Sequence, residues 1–370
     1  ALVLDHTDTL LDLLQAETGK SRKDAFLEAS APLVTVGYYA RKAPKLLKPR
    51  RRQGMMPVAI GTTELRVPKG VVGIITPWNY PFALAFTDLI PALIAGNAVV
   101  LKPDTQTALT TLYGVDLLAR AGLPDGLLQV VLGDGPVVGT ALVDSADYIG
   151  FTGSTRTGRQ VAERAGQRLI GSSLELGGKN PLLVLDDANV TKAAVGAVQT
   201  CFSNSGQLCM SPERLFVHTA VYDAFVTKFL DHVRKMKLTA TYDYAADMGS
   251  LISQRQLETV VRHVEDARSK GATVLAGGKA RPDLGPFFYE PTVLTDVTPE
   301  MLCYDNETFG PVVSIYRVVD NNEAVARAND TAYGLNASVY GRDLRKAHAV
   351  AAQLQAGTVN VNDGHIVGFG

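Results

Sequence analysis

From Lys69 onward the chain alternates short apolar, β-branched runs with longer stretches of helical period, and few folds accept that alternation. "GVVGIITP" (70–77) reads as a buried strand, "PFALAFTDLIPALIA" (81–95) as a helix and "NAVVLKP" (97–103) as a second strand. "TALTTLYGVDLLARAGLP" (107–124) follows as a helix stopped by Gly-Leu-Pro, and "LLQVVLG" (127–133) and "DYIGFTGS" (147–154) complete two more steps. The series resumes at Asn180 with the strand "NPLLVL", a helix over 190–202, the strand "RLFVH" and a helix over 220–236. It continues to "GTVNVN" (357–362). Strands joined through helices form parallel sheets covered on both faces, and ligands gather at the carboxyl ends of such strands. The reading is an α/β chain of two doubly wound, Rossmann-like domains, with a junction near residues 175–180.

Bulk properties exclude several classes. The 370 residues suffice for two substantial cores, and the formal net charge of −1 gives no global field toward nucleic acid or anionic membrane. The longest apolar stretch, Val71 to Leu101, is interrupted by Pro77, Pro81, Asp88 and Pro91, which argues against a membrane span. Three scattered cysteines, Cys201, Cys209 and Cys303, form neither a disulfide framework nor a CxxC zinc pattern, so no metal site and a cytoplasmic location are expected. No signal peptide is read at the start, and a chain that begins at Ala1 already in helical pattern reads as lacking an N-terminal portion. The basic run "RKAPKLLKPRRRQG" (41–54) reads as a solvated helix end leading into an extended hairpin over 56–67.

Three stretches and one cysteine carry candidate chemistry. In "PWNYP" (77–81) flanking prolines fix a loop from which the Asn79 amide could donate to an oxyanion, or simply cap the next helix. "LELGGKN" (174–180) sets Glu175 in an apparently apolar strand, where burial would raise its pKa toward that of a neutral-pH base; pairing with a buried Arg is the plainer alternative. "FTGSTRTG" (151–158) is strand, glycine turn and helix start, so Gly153, Ser154 and backbone N–H groups could hold a pyrophosphate, although the G-x-G-x-x-G spacing is absent. Cys209 of "SNSGQLCMSPER" is either an inert buried thiol or a nucleophile without a neighbouring histidine.

"PWNYP", "LKPDTQT", "FTGSTRTG", "LELGGKNP", "NSGQLC" and "ETFGPV" occur in the order and approximate spacing of the aldehyde dehydrogenase superfamily, which the chain resembles from about Thr7 to Asn362. Cys209 lies 34 residues after Glu175, matching that family's separation of base and nucleophile. The resemblance implies that Cys209 adds to an aldehyde, that Asn79 and the Cys209 N–H stabilise the oxyanion, and that Glu175 activates water against the resulting thioester. It implies structural roles for Cys201 and Cys303. It also implies a nicotinamide dinucleotide: Lys102 on the adenosine ribose, Ser154 on the pyrophosphate, Glu307 on the nicotinamide ribose, and Phe309, Trp78 and Leu176 around that end, with Pro103 and Gly153 in the same loops. Where NAD-preferring members often carry Glu, this chain has Thr105, which leaves room for a 2′-phosphate beside Lys102, so NADP is expected over NAD; Asp104 is the counter-signal if it points inward.

Within the superfamily the text most resembles actinobacterial NADP-dependent succinate-semialdehyde dehydrogenases, implying that substrate and a succinate product. Two positions where arginines of that activity hold the substrate carboxylate are Ser203 and Thr87 here. Either another cation such as Arg214 substitutes, or the substrate is a less polar aliphatic or aromatic aldehyde. The resemblance divides the chain into a cofactor domain (1–49 and 69–177), an oligomerisation hairpin (50–68) and a catalytic domain (178–370) short of the family's C-terminal segment, with homodimers or homotetramers implied. Glu175 favours hydrolysis over transfer to coenzyme A, and the Asn79, Glu175 and Cys209 set weighs against a non-catalytic structural or nucleic-acid-associated member.

Overall fold

A computed structural model describes residues 2–56 and 58–364; Pro57 of the expected hairpin and residues 365–370 of the expected second domain lie outside it. The chain divides into two compact units, one of residues up to Glu17 with Phe26–Glu175, the other of Thr18–Ala25 with residues from Leu176 onward. Among the described residues no helix is long and apolar enough to cross a membrane.

The first unit opens with a one-turn helix, Leu2–Asp5, and helices over Thr7–Thr18 and Arg22–Leu47, which contribute up to Glu17 and from Phe26 on. Strands β1 (Arg50–Gln53) and β2 (Gly61–Glu64) then pair antiparallel, with Arg50 opposite Glu64. The basic run is therefore not only a helix end. "RRRQ" is itself the first strand, so the hairpin begins about six residues before the 56–67 stretch read from the basic run while lying within the 50–68 span that the family resemblance implies, and Arg52 is neutralised by Glu64 at 2.6 Å. Strands β3 (Val71–Ile75), β4 (Ala98–Lys102), β5 (Leu128–Val130), β6 (Tyr148–Thr152) and β7 (Gly171–Glu175) form a parallel sheet in the order β5-β4-β3-β6-β7. The chain runs outward from β3 to β5 and then restarts at β6, so the order reverses between β3 and β6 and opens a crevice at their carboxyl ends. Ile74, Leu101 and Ile149 are buried in the sheet, and Phe82, Phe86 and Leu89 of the helix Pro81–Ile94 are buried as well. Each such side chain contributes about 1.5–3 kcal/mol on burial. Gly114 lets the helix Ala108–Arg120 approach Phe82 and Phe86, whose rings any Cβ at 114 would strike.

The second unit holds a seven-stranded sheet: β8 (Asn180–Val184), β9 (Pro212–His218), β10 (Thr273–Ala276), β11 (Thr292–Thr295), β12 (Val312–Val318), β13 (Asn336–Tyr340) and β14 (Thr358–Val361). Their order is β10-β11-β12-β9-β8-β13-β14, parallel except for the antiparallel edge strand β10. Every residue of β8 and β13 is buried, as expected for strands covered on both faces. One apolar cluster, including Leu183, Val260 and Leu294, and another, including Phe202, Phe225 and Phe229, form its two cores.

Candidate active site

The crevice of the first unit is a cleft of about 850 Å³ lined by residues that follow β3, β4 and β6, among them Trp78, Lys102, Asp104, Thr105, Gly153 and Ser154. Lys102 ends β4 at only 4% exposure and its Nζ donates to the Pro103 carbonyl at 3.2 Å. Burial lowers its pKa, while the carboxylates of Asp104 and Asp134 act the other way. Asp104 is the cap of the one-turn helix Thr105–Thr107, its Oδ1 accepting from the Gln106 N–H at 2.9 Å and from Gln106 Nε2 at 3.3 Å. Its carboxylate is thus engaged within its own turn, and Thr105, an exposed residue, lines the cleft.

Ser154 caps the helix Thr155–Gln167 by accepting from the Thr157 N–H at 3.3 Å. That leaves the N–H groups of Thr155 and Arg156 outside the helix's own ladder, at its positive end. The Arg156 side chain lines the same cleft, a cation that motif reading missed because the family pattern draws attention to the glycine and serine instead. Thr76 Oγ1 is buried at the cleft with no hydrogen-bond partner among the described residues. A long cleft lined by Lys102, Arg156 and Arg164, with a helix N-terminus and an unsatisfied buried hydroxyl, suits a phosphate-bearing dinucleotide.

Asn79 is 3% exposed and does not cap the helix that follows it. Tyr80 occupies the cap position and its side chain makes no capping bond to the helix, and Glu28 Oε1 accepts the N–H groups of Phe82 (2.8 Å) and Ala83 (3.3 Å) in its place. The capping alternative for Asn79 therefore falls. Glu175 needs a correction too. It ends β7, whose sequence "GSSLE" is largely polar, and its side chain is exposed rather than buried, so the burial expected to make it a base is not found.

In the second unit the candidate residues lie at the amino ends of the strands, against expectation. The helix Val190–Phe202 runs into a turn in which Asn204 (φ 49°), Ser205 (φ 57°) and Gly206 (φ 69°) are all left-handed, followed by Cys209 just before β9. Non-glycine residues in that region are strained by about 1–3 kcal/mol each and persist where surroundings over-determine them. Here the surroundings do so. Gln207 accepts from the Ile252 N–H at 2.9 Å and donates to Asn204 O at 3.1 Å, and Ser211 Oγ donates to the carbonyls of Thr200 and Cys201. Asn180 Nδ2 donates to Cys209 O (2.7 Å) and Ser211 O (3.0 Å), while its Oδ1 accepts from the Asn336 N–H (3.1 Å). Asn336 donates in turn to Met210 O (3.1 Å) and accepts from Asn360 (2.9 Å). Of the three cysteines, Cys209 is partly exposed, whereas Cys201 and Cys303 are buried and their thiol pKa values are raised by it.

Gly177 and Gly178 follow Leu176 and admit two groups that a side chain would displace: the Glu307 carboxylate against Gly177 and the Cys209 carbonyl against Gly178. Glu307 accepts the Gly178 N–H at 2.9 Å; burial first and the charge of Glu213 second push its pKa up to about 7. Beneath it, Lys179 and Glu213 form an ion pair at 2% and 5% side-chain exposure. Glu213 also accepts the N–H groups of Thr308 (3.0 Å) and Phe309 (2.9 Å), holding the turn in which Phe309 takes φ 52°. Arg214, expected as a substitute cation, is buried and spends its guanidinium on the carbonyls of Lys179, Arg327 and Ala328.

Comparison with known proteins converges on one family. The model of the aldehyde dehydrogenase family matches residues 1–369. The chain belongs to the aldehyde dehydrogenase family. It is 58% identical over 369 residues, all of this chain and 71% of the relative, to a Mycolicibacterium smegmatis protein named "Putative succinate-semialdehyde dehydrogenase (NADP+)". It is 40% identical to the 4,4′-diapolycopene aldehyde oxidase of Methylomonas sp, covering 98% of this chain and 68% of that one. A crystal structure of an E. coli NADP-dependent enzyme superposes with a TM-score of 0.94 at 37% identity, over 98% of this chain and 75% of the other. As an aldehyde dehydrogenase the protein is an enzyme of aldehyde oxidation with the α/β fold of that family.

Proposed function

We propose that this aldehyde dehydrogenase converts an aldehyde to a carboxylic acid through a covalent intermediate on Cys209, using NADP in preference to NAD. Bound in the cleft of the first unit, the dinucleotide supplies the hydride acceptor. The protein's own groups do the rest. The Cys209 thiolate adds to the carbonyl carbon, and Asn79 with the Cys209 N–H donates to the oxyanion of the thiohemiacetal. After oxidation to the thioester, Glu175 takes a proton from water, which attacks the acyl carbon and expels Cys209. Lys102, Pro103, Asp104, Thr105, Gly153 and Ser154 hold the adenosine and phosphate end, and Trp78, Leu176, Glu307 and Phe309 the nicotinamide end.

The observation that carries this reading is Cys209 itself: the partly exposed cysteine of the three, fixed on a left-handed turn by buried asparagines beside the Gly177–Gly178 approach. Succinate semialdehyde is the substrate favoured by the name of the 58% identical relative. A less polar aldehyde is the second reading. The Ser203 hydroxyl donates to Asp24 at 2.9 Å, the Thr87 hydroxyl to Ala83 O at 2.8 Å, and Arg214 is committed to carbonyls, so none is a ready partner for a substrate carboxylate. A kcat/KM panel of succinate semialdehyde against neutral aldehydes of equal length, each with NADP and NAD, separates the two. Cys209→Ala should lose at least about a thousandfold in turnover while retaining cofactor binding; retained turnover removes the thiol from the mechanism. We assign the hairpin of β1 and β2, with exposed Met55, Met56 and Ile60, to a homo-oligomer contact, and the protein, with its three thiol cysteines, to a cytoplasmic setting.

A further inference from the structure

Both backbone turns that carry candidate chemistry in the second unit rest on one helix, Gln254–Ser269, and the residues just ahead of it. In its first turn Gln256 is half-buried, and its Nε2 donates to two successive carbonyls, Thr308 O at 3.1 Å and Phe309 O at 2.7 Å. Glu213 accepts the N–H groups of the same residues, at 3.0 Å and 2.9 Å. The Thr308 carbonyl and the Phe309 N–H belong to one planar peptide and point opposite ways, so the two side chains grip that plane from both sides and fix its rotation. Val260 and His263 continue the same helix face. Val260 packs where a Cβ on Gly310 would stand, and His263 Nδ1 is hydrogen-bonded to Thr308 Oγ1 at 3.1 Å. Ahead of the helix, the Ile252 N–H donates to Gln207 Oε1 of the thiol turn at 2.9 Å. The two turns also meet directly: a Cβ on Gly206 would strike the Gly310 carbonyl, so glycine at 206 lets backbone pack on backbone.

We propose that Gln256 is a positioning residue for the oxidation step: its amide holds the Glu307–Phe309 turn in register with the thiol turn, so that the nicotinamide end of the dinucleotide meets the adduct on Cys209. This rests on the reading of Glu307 and Phe309 as nicotinamide-end residues and of Cys209 as the nucleophile. In the step, the C–H bond of the thiohemiacetal breaks, its hydrogen and electron pair pass to the dinucleotide, and the oxyanion closes to the carbonyl of the thioester. The adduct is oxidised and the dinucleotide reduced. Gln256 takes no part in those bonds and acts through the turn it holds. Phe309 is a non-glycine residue at φ 52°, a conformation that persists where its surroundings over-determine it. Rotation of the Thr308–Phe309 peptide would move the residues on either side of it together, and a misplacement of about 1 Å in such a step can cost on the order of a hundredfold. The thiol turn keeps its own supports, Asn180 and Gln207, so loss of the Gln256 amide should reach the oxidation step without disturbing the thiol.

The test compares Gln256→Leu, which keeps the bulk and loses the donor, with Gln256→Lys, whose ammonium can donate to both carbonyls again. In Gln256→Leu the NADPH burst should slow about tenfold, and affinity for NADP, read by calorimetry on the ligand-free enzyme, should fall about threefold. Affinity for adenosine 2′,5′-bisphosphate, which has no nicotinamide end, and the rate of Cys209 alkylation by iodoacetamide should both stay at the wild-type value. Gln256→Lys should recover most of the burst. Equal losses for NADP and the bisphosphate, a fall in alkylation that matches the fall in the burst, or no recovery in Gln256→Lys would overturn the assignment. Gln256→Glu keeps the shape and turns acceptors onto the two carbonyls; it should show the same split more strongly, serves where Gln256→Leu does not fold, and with a normal burst also overturns the assignment. Glu307→Gln is the control on the underlying reading. An unchanged ratio of NADP to bisphosphate affinity in that variant removes the Glu307–Phe309 turn from the nicotinamide end, whereas a changed ratio there with a normal Gln256→Leu removes Gln256 alone.

Discussion

The two units use opposite ends of their sheets. In the first, the cleft opens at the carboxyl ends of β3, β4 and β6, where a helix N-terminus capped by Ser154 and the ammonium of Lys102 meet it. In the second, Cys209, Gly177–Gly178 and Glu307 all precede their strands, at the amino ends of β9, β8 and β12. The chemistry follows the end chosen. Carboxyl ends present helix N-termini and suit anions, and local capping is enough to shape them. Amino ends lack that dipole, so the thiol turn is held by buried side chains from several strands: Asn180, Asn336, Asn360 and the Lys179–Glu213 pair. Substitutions in the cleft should therefore change selectivity with little loss of stability, and substitutions under the thiol turn should do the reverse.

Lys179→Met tests that contrast most strongly. It leaves the Glu213 charge buried with the N–H groups of Thr308 and Phe309 as its partners. Removing one member of a buried pair costs about 3–5 kcal/mol. At roughly 2–4 °C per kcal/mol, the melting temperature of the second unit should fall by about 6 °C or more. A change of a degree or less would mean that the pair is not what fixes the turn.

The fold was legible because its alternation is local: the period of "PFALAFTDLIPALIA" and the apolar run before it each fit inside one element. The first strand of the hairpin was misread as a helix end because three successive arginines carry little strand propensity, and the cross-strand Glu64 reveals their pairing. Glu175 was misjudged from the apolar residues beside it, Leu174 and Leu176, when the strand that carries it is mostly glycine and serine. The site residues stood out as motifs, but what supports them did not. Asn180 and Asn336 lie 156 positions apart, and Lys179 and Glu213 lie 34 apart, so no local pattern announces either contact. The rule that ligands gather at carboxyl ends located the cleft and gave no guidance for the thiol turn.

Glu307 offers a pH-dependent version of the comparison. Its carboxyl sits near 4.5 ordinarily and is pushed up to about 7 by burial and Glu213. A raised acid favours the folded state only while protonated. The contribution is complete below about 4.5 and is lost as pH rises through about 7, because the unfolded chain binds fewer protons in that window. Ligand-free wild type should therefore lose roughly 2–3 kcal/mol across the interval relative to Glu307→Gln, read from urea unfolding at successive pH values. Parallel curves for the two proteins would mean that Glu307 leaves the Gly178 N–H in solution and lies in water.

The smallest expected effect belongs to the cleft, and it concerns cofactor choice. Thr105 lines the cleft, its hydroxyl is too short to accept from two ribose hydroxyls at once, and it places no charge against a 2′-phosphate. Asp104 could have supplied that charge, but its carboxylate is turned back onto the Gln106 N–H at 2.9 Å as a helix cap. Lys102 and Arg156 line the cleft as cations a phosphate can pair with, alongside the carboxylates of Asp104, Asp134 and Glu163. Charge-assisted contacts to phosphate are worth about 1.5–3 kcal/mol, and screening at this exposed position puts the preference for NADP near the lower figure, roughly tenfold in kcat/KM. Raising the ionic strength should shrink it. Thr105→Glu should reverse it by adding both an acceptor for the free ribose hydroxyls and a repulsion against the phosphate, while the melting temperature stays within a degree or two of wild type. An unchanged ratio would show that the ribose meets Asp104 after its cap opens. A reversed ratio accompanied by a large loss of stability would break the contrast between a locally capped cleft and a thiol turn held from below.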